Sequence, residues 1–130
     1  MDELIDTQER RVENALRDIL RKIKASSLDI ESLALVSSDG LPITSLLPEN
    51  LEEDKVAAMS ATILALAERV LDELSKGKLN VALVQGEKGY VITAGIKNLA
   101  VLVVITNEMA KLGIVMLAVK KGVEELSKIL

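Results

Sequence analysis

The sequence predicts one domain of the mixed α/β class (α+β), in which three helices flank a five-stranded, mainly antiparallel sheet. The 130 residues are 49% hydrophobic, which is enough for a single core. Three segments repeat their apolar residues with helical spacing, and five shorter apolar segments lie between them. Turn signals at Asp39-Gly40, residues 86–89 and Lys97-Asn98 join most of the short segments as hairpins. The predicted order over residues 1–130 is therefore α-β-β-α-β-β-β-α.

The first predicted helix covers residues 2–25. Its apolar residues recur at helical intervals, which places them on one side of the helix: Ile5, Val12, Leu16, Ile19 and Ile23. The charges of its first turns are acidic and those of its last turns are basic. This order interacts favourably with the helix dipole.

Two strands are predicted next. Residues 30–36 form the first strand, and because residues 33–36 are apolar without alternation, it should be covered on both faces. Ser38-Asp39-Gly40 predicts a tight turn, because Asp-Gly accepts positive φ. The returning strand begins with Leu41-Pro42-Ile43. Since Pro42 has no N–H to donate, this strand is predicted at an edge of the sheet.

The second predicted helix follows an acidic connection, residues 48–54, and runs to about Lys76, before Gly77. Asn50 and Glu53 have the spacing of a capping box. A helical wheel assigns a broad apolar arc to the side that faces the core: Val56, Met59, Ile63, Leu64, Leu66, Ala67, Val70, Leu71 and Leu74. The opposite side carries Ala57, Ala58, Ala61, Thr62 and Ala65, followed by Glu68, Arg69, Asp72 and Glu73.

The uncharged half of that outer side allows two interpretations. Alanine is a good helix former and can occupy a solvated helix face without further purpose. Small side chains also let a second helix approach closely, and an uncharged patch on a charged surface favours such a contact. The second interpretation predicts a helix-packing surface used by a second copy or by another protein.

Three more strands and a last helix complete the prediction. The strands are residues 79–85, 90–96 and 99–106, and the last of them should be central because it is almost unbroken apolar sequence. The helix is predicted over residues 107–129, with the apolar stripe Leu112, Val115, Val119, Val123 and Leu126 or Ile129. Gly113 and Gly122 are unfavourable within it, and close packing would explain both.

The strand that follows the second helix is predicted at the other sheet edge. Its apolar residues lack obvious gatekeeping charges, although Lys78 lies just before it, so two copies could pair there into one continuous sheet. The predicted protein-interaction residues, for contact with a second copy or with another protein, are Ala57, Ala58, Ala61, Thr62, Ala65, Glu68, Arg69, Val81 and Leu83.

Composition argues against several functions. The chain has no Cys and no His, so thiolate nucleophiles, imidazole bases and the usual zinc ligands are missing. No calcium-type loop is present, and we expect no catalytic residue, metal or cofactor. A net charge of −4 and Tyr90 as the single aromatic residue argue against nucleic acid as a partner.

Residues 99–119 are long enough to span a membrane, but Asn107, Glu108 and Lys111 interrupt them. We expect a cytoplasmic protein without membrane insertion.

Several segments resemble the Roadblock / dynein-light-chain family, especially its MglB-like bacterial and archaeal members. The turn Ser38-Asp39-Gly40-Leu41-Pro42-Ile43 is similar to the family's glycine-x-proline hairpin. Residues 57–69 resemble its alanine-rich second helix, and residues 99–104 its last strand. Lys111-Leu112-Gly113 is similar to the opening of its final helix. The order and spacing of these segments, over about residues 5–129, carry the resemblance.

The resemblance implies a Roadblock-like (profilin-like) sandwich without enzyme activity. It also implies a homodimer formed through the second helix and the third strand, and a regulator or scaffold of a small Ras-like GTPase. The alternative within the family is a structural adaptor subunit of a motor or larger complex without a GTPase partner. A small-ligand sensor is disfavoured, because no polar residues converge on one predicted site.

Overall fold

The computed structural model describes residues 2–130, which form three helices and five strands. In chain order they are α1 (Asp2–Ala25), β1 (Ile30–Ser37), β2 (Pro42–Leu46), α2 (Glu53–Glu73), β3 (Ala82–Gly86), β4 (Gly89–Ile96), β5 (Ala100–Thr106) and α3 (Leu112–Ile129). The predicted fold class and element order are confirmed.

The strands form a single sheet in the order β2-β1-β5-β4-β3, and every neighbouring pair is antiparallel. β5 occupies the centre, as its unbroken apolar sequence predicted. The Pro42 strand lies at one edge and β3 at the other, again as predicted. β3 begins at Ala82 rather than Leu79, because residues 79–81 have no pairing partner on β4.

The helices cover both faces of the sheet. α1 and α3 pack on one face, where Leu20, Leu102 and Leu126 are fully buried. α2 packs on the other, smaller core, which contains Val36 and Val103 from the sheet. Residues of a strand alternate between the two cores, so the sheet is buried on both sides. None of the helices in residues 2–130 combines the length and the apolar character needed to cross a bilayer.

The two glycines of α3 differ in their surroundings. A Cβ on Gly122 would collide with the side chain of Ile23, so α1 crosses α3 at this position in close contact. The predicted close packing is confirmed there. Gly113 is exposed, and a Cβ on it would meet no atom within 4 Å. For Gly113 the prediction is wrong within the part of the chain that the structure describes.

The starts of α2 and α3 differ from the prediction. The capping box does not form: Glu52 is the N-cap residue of α2 and makes no side-chain cap hydrogen bond. α3 begins at Leu112 instead of Asn107. The Asn107 side chain accepts a hydrogen bond from the Met109 N–H (2.9 Å) and donates one to Asp29 (3.2 Å). These bonds hold a turn in place of the first helical residues.

Candidate interaction surface

α2 packs on the sheet through a narrow face, part of which consists of residues with small side chains. Val56, Ala57, Ser60 and Leu64 are its buried residues. The placement of Ala57 on the outer side is therefore wrong. Since Ala57 and Ser60 have short side chains, the helix axis can approach the strands closely, and the δ-methyl group of Leu64 reaches the backbone of Gly95.

The large apolar residues on one flank of α2 are exposed. Met59, Leu66, Val70 and Leu74 are exposed by 58%, 62%, 46% and 64%. Their spacings of seven, four and four positions place them on one stripe along the helix. Their predicted place on the core side is wrong, because only half of the broad apolar arc meets the sheet. Exposed apolar stripes are a common feature of surfaces that bind other proteins.

Contacts within the chain explain part of the predicted stripe of small residues on α2. Ala58, Thr62 and Ala65 are exposed, but Ala61 is half-buried. The turn between β1 and β2 lies against this side: a Cβ on Gly40 would be 3.5 Å from the Ala58 Cα and 3.7 Å from the Ala61 Cβ. Small residues are thus needed here to admit the turn. The Thr62 hydroxyl donates to the Ala58 carbonyl oxygen (2.8 Å), so it needs no outside partner.

Charged residues border the C-terminal half of α2. Glu68 and Arg69 are both exposed, as predicted. The Arg69 Nε donates to the Glu73 carboxylate over 3.2 Å, and both side chains are mostly in solvent. An exposed ion pair of this kind adds little stability, so Arg69 and Glu73 are both available to a partner protein.

β3 adds apolar side chains on both faces of the sheet edge. Leu83 and Val84 are exposed by 42% and 47%. Val84 pairs with Val91 of the α2-side core, so it lies on the face that α2 covers. Leu83 lies on the opposite face. Val81 precedes the strand and packs against the α1–α3 core, which leaves it only half accessible.

The outer backbone of β3 is free to pair. The Tyr90 N–H points away from β3 and donates to the Thr106 Oγ1 (3.1 Å). The pair Gln85–Tyr90 is therefore one that exchanges no hydrogen bonds, and antiparallel pairs alternate. It follows that the peptide groups of Leu83 and Gln85 face outward. No residue of Ala82–Gly86 carries a charge that would repel a second strand.

Together these residues define one surface, the α2–β3 surface, which consists of Met59, Leu66, Val70, Leu74, Leu83 and Val84. It offers apolar area and unpaired backbone groups, but no nucleophile or base. No group of three or more acidic residues within residues 2–130 is placed to hold a metal ion. The surface is suited to binding a protein.

Comparison with known proteins identifies the family. The model of the Roadblock/LC7 domain matches residues 18–106, which include α2 and all five strands. An uncharacterized protein of Methanocaldococcus jannaschii is 30% identical over 97 residues, which are 75% of this chain and 84% of that protein. A second uncharacterized protein of the same organism is 26% identical over 115 residues, or 88% and 96% of the two chains.

Solved structures share the fold. Myxococcus xanthus MglB superposes with a TM-score of 0.83 at 22% identity, over 90% of this chain and 88% of that one. The gliding protein MglB of Thermus thermophilus gives 0.81 at 20% identity, over 91% and 90%. A Roadblock/LC7 domain of Streptomyces avermitilis gives 0.77 at 16% identity, over 85% and 92%. The resemblance found in the sequence is thereby confirmed: the chain belongs to the Roadblock/LC7 domain family.

Proposed function

We propose that this protein is a homodimeric interaction module that regulates or scaffolds a small Ras-like GTPase and catalyses no reaction itself. The observation that carries the proposal is the α2–β3 surface, where α2 exposes large apolar side chains and β3 is an edge strand of the sheet. We further propose that residues 1–130 act as one domain and that the protein is cytoplasmic.

A two-fold axis at the β3 edge pairs the free backbone groups of β3 and brings the exposed apolar residues of α2 toward a second copy. Antiparallel pairing of β3 with its copy gives hydrogen-bond partners to the outward peptide groups of Leu83 and Gln85. The same axis brings the two α2 helices together on one face, since Val84 and α2 share that face. Each copy then contributes the same residues, as an isologous interface requires.

Dimerisation leaves the outward side of α2 for a partner. This side carries Ala58, Thr62 and Ala65 and ends with Arg69, all exposed, with Glu68 nearby. Small uncharged residues bordered by one acidic and one basic group form a surface that a second protein can approach closely. The GTPase partner is proposed from the family resemblance: the chain resembles MglB-like Roadblock proteins, and their family includes binders of Ras-like GTPases. Self-association is supported by a similar structure described as MglB with tetrameric arrangement.

The test has two arms. Light scattering coupled to size exclusion should give the mass of two or more chains for the wild type. Purified protein should then bind the small GTPase encoded nearest to its gene, measured by calorimetry in the GDP-bound and GTP-analogue-bound states. Ala65→Arg, which changes an exposed residue outside the α2–β3 surface, should weaken this binding without changing the mass.

The outcomes separate the proposal from its alternative. Lack of binding in both nucleotide states refutes the GTPase role. If the protein then purifies natively as part of a stable large complex, the structural adaptor function holds instead. A monomeric wild type at all concentrations refutes the dimer.

A further inference from the structure

An open cleft lies beside β2, at the sheet edge opposite β3. β2 pairs with β1 only from Leu33 to Val36, and after Leu46 the chain leaves the sheet toward α2. Residues 31–32 of β1 therefore have no neighbouring strand on this side within residues 2–130. The cleft between α1, this part of β1 and the start of α2 has a volume of about 880 Å³, which lies in the range of small-molecule sites. We call it the β1 cleft.

A buried hydroxyl group without a hydrogen-bond partner faces the β1 cleft. Ser32 lines the cleft and is only 2% exposed, and its hydroxyl makes no hydrogen bond within residues 2–130. The pairing of β1 with β5 shifts its register between Ile30 and Ser32. Bulges of this kind redirect side chains and are frequent beside binding sites. Because a buried hydroxyl without a partner costs free energy, a ligand that hydrogen-bonds to Ser32 is favoured.

Four charged side chains on the walls of the β1 cleft have no ion-pair partner. α1 contributes Arg17 and Lys24, which lie two turns apart on one side of the helix. Glu31 of β1 and Glu53 of α2 line the other walls. None of the four takes part in a salt bridge within residues 2–130, although Arg17 is half-buried. Charges of both signs are therefore free to bind groups from outside.

The two signs of charge restrict the chemistry of the ligand. The two glutamates repel a phosphate or a dicarboxylate, and the arginine and lysine repel a polyamine. A ligand with one carboxylate and one ammonium group can form charge-assisted hydrogen bonds to both pairs. The rest of the wall includes Leu47, Leu51 and Ile105, so it accepts an aliphatic side chain.

We propose that the β1 cleft binds a small zwitterion with an aliphatic side chain, either a free amino acid or a dipeptide. Arg17 and Lys24 bind its carboxylate, the two glutamates bind its ammonium group, and the Ser32 hydroxyl supplies a further hydrogen bond. These residues belong to three different elements, so their convergence could not be seen in the sequence. The site goes beyond the proposed interaction module, because it lies away from the β3 edge where the second copy pairs.

The first experiment titrates the ¹⁵N-labelled full chain with leucine and with the dipeptide Leu-Leu, and follows the backbone amides by NMR. At least one of the two should shift the amides of Ser32, Ser45 and Asn50, which line the cleft, and leave those of β3 unchanged. The tighter binder distinguishes a free amino acid from a dipeptide as the ligand. If neither compound shifts the amides of the cleft, the proposal is overturned.

Derivatives of leucine test the need for both charges. N-acetylleucine lacks the ammonium group and leucine amide lacks the carboxylate, so each should bind about tenfold more weakly than leucine, or worse. Glycine keeps both charges without the aliphatic side chain and should also bind more weakly. Equal affinity for leucine and either blocked derivative would contradict recognition of a zwitterion.

Variants locate the site in the cleft. Arg17→Gln should weaken binding of leucine about tenfold or more, because a hydrogen bond to a charged group is lost. Ser32→Ala should weaken it about fivefold, and the NMR spectrum of the free variant verifies its fold. Arg21→Gln is the matched control, since Arg21 lies on the same helix, pairs with Asp18 and does not line the cleft. Wild-type affinity in Arg17→Gln, or an equal loss in Arg21→Gln, would rule out the assigned contacts.

This proposal and the proposed dimer fail independently. Leu66→Glu on the α2–β3 surface should leave the affinity for leucine unchanged, whether or not the wild type dimerises. Arg17→Gln should leave the mass in light scattering unchanged. Binding of leucine that disappears in Leu66→Glu would place the ligand at the wrong surface and overturn the assignment to the β1 cleft.

Discussion

Replacing Leu66 with glutamate is the most direct perturbation of the α2–β3 surface. The side chain is 62% exposed in the single chain, so this fraction is available for burial by a partner. Full burial of a leucine contributes about 1.5–3 kcal/mol, so the available part amounts to about 1–2 kcal/mol. Because a two-fold interface contains the residue twice, Leu66→Glu should weaken the dimer by about 2–4 kcal/mol. The dissociation constant should rise about 30- to 700-fold.

The assay is sedimentation velocity over a dilution series, with the unfolding free energy from urea denaturation measured in parallel. Stability of the single chain should change by no more than about 0.5 kcal/mol, since an exposed residue is altered. Leu28→Glu makes the same chemical change at a fully exposed site away from α2 and should leave the dissociation constant unaltered. Equal dimerisation of wild type and Leu66→Glu would refute the role of the exposed flank.

Further substitutions test the packing and the strand edge. Leu83→Lys places a charge on β3 and should weaken dimerisation at unchanged stability, as sedimentation would reveal. Gly122→Ala should lower the unfolding free energy by about 1 kcal/mol, because crowding against Ile23 outweighs the better helix propensity. Thr44→Val should raise the urea midpoint, since its buried hydroxyl has no hydrogen-bond partner within residues 2–130 and the change contributes about 1 kcal/mol.

The fold could be predicted from the sequence because its signals are local. Helical spacing, Asp39-Gly40 and the short apolar strands each specify one element without knowledge of the others. Pro42 even identified its strand as an edge, since a missing N–H excludes a central position. The start of α3 was missed because Asp29, distant in sequence, binds Asn107.

The candidate surface was predicted only in outline. A helical wheel shows which residues of α2 share a side, but the rotation of the helix on the sheet depends on residues from other elements. The close approach of Ala57 and Ser60 to the sheet turned Met59 and Leu66 outward, where the wheel had placed them inward. The Gly40 turn, packed beside Ala58, was equally invisible in the sequence of the helix. The lack of charge on β3, by contrast, does not depend on the rotation of α2 and could be read directly from the sequence.

The two edges of the sheet differ in their ability to pair with a strand of another chain, and this difference limits how many chains can join by strand pairing. Both edge strands are five residues long, but β3 presents free backbone N–H and C=O groups, whereas β2 begins with a proline. When two copies join at β3, both outer boundaries of the ten-stranded sheet are β2 strands, which are poor templates for another chain. In the proposed dimer, strand addition therefore stops at two subunits, which works against fibrillar polymerisation.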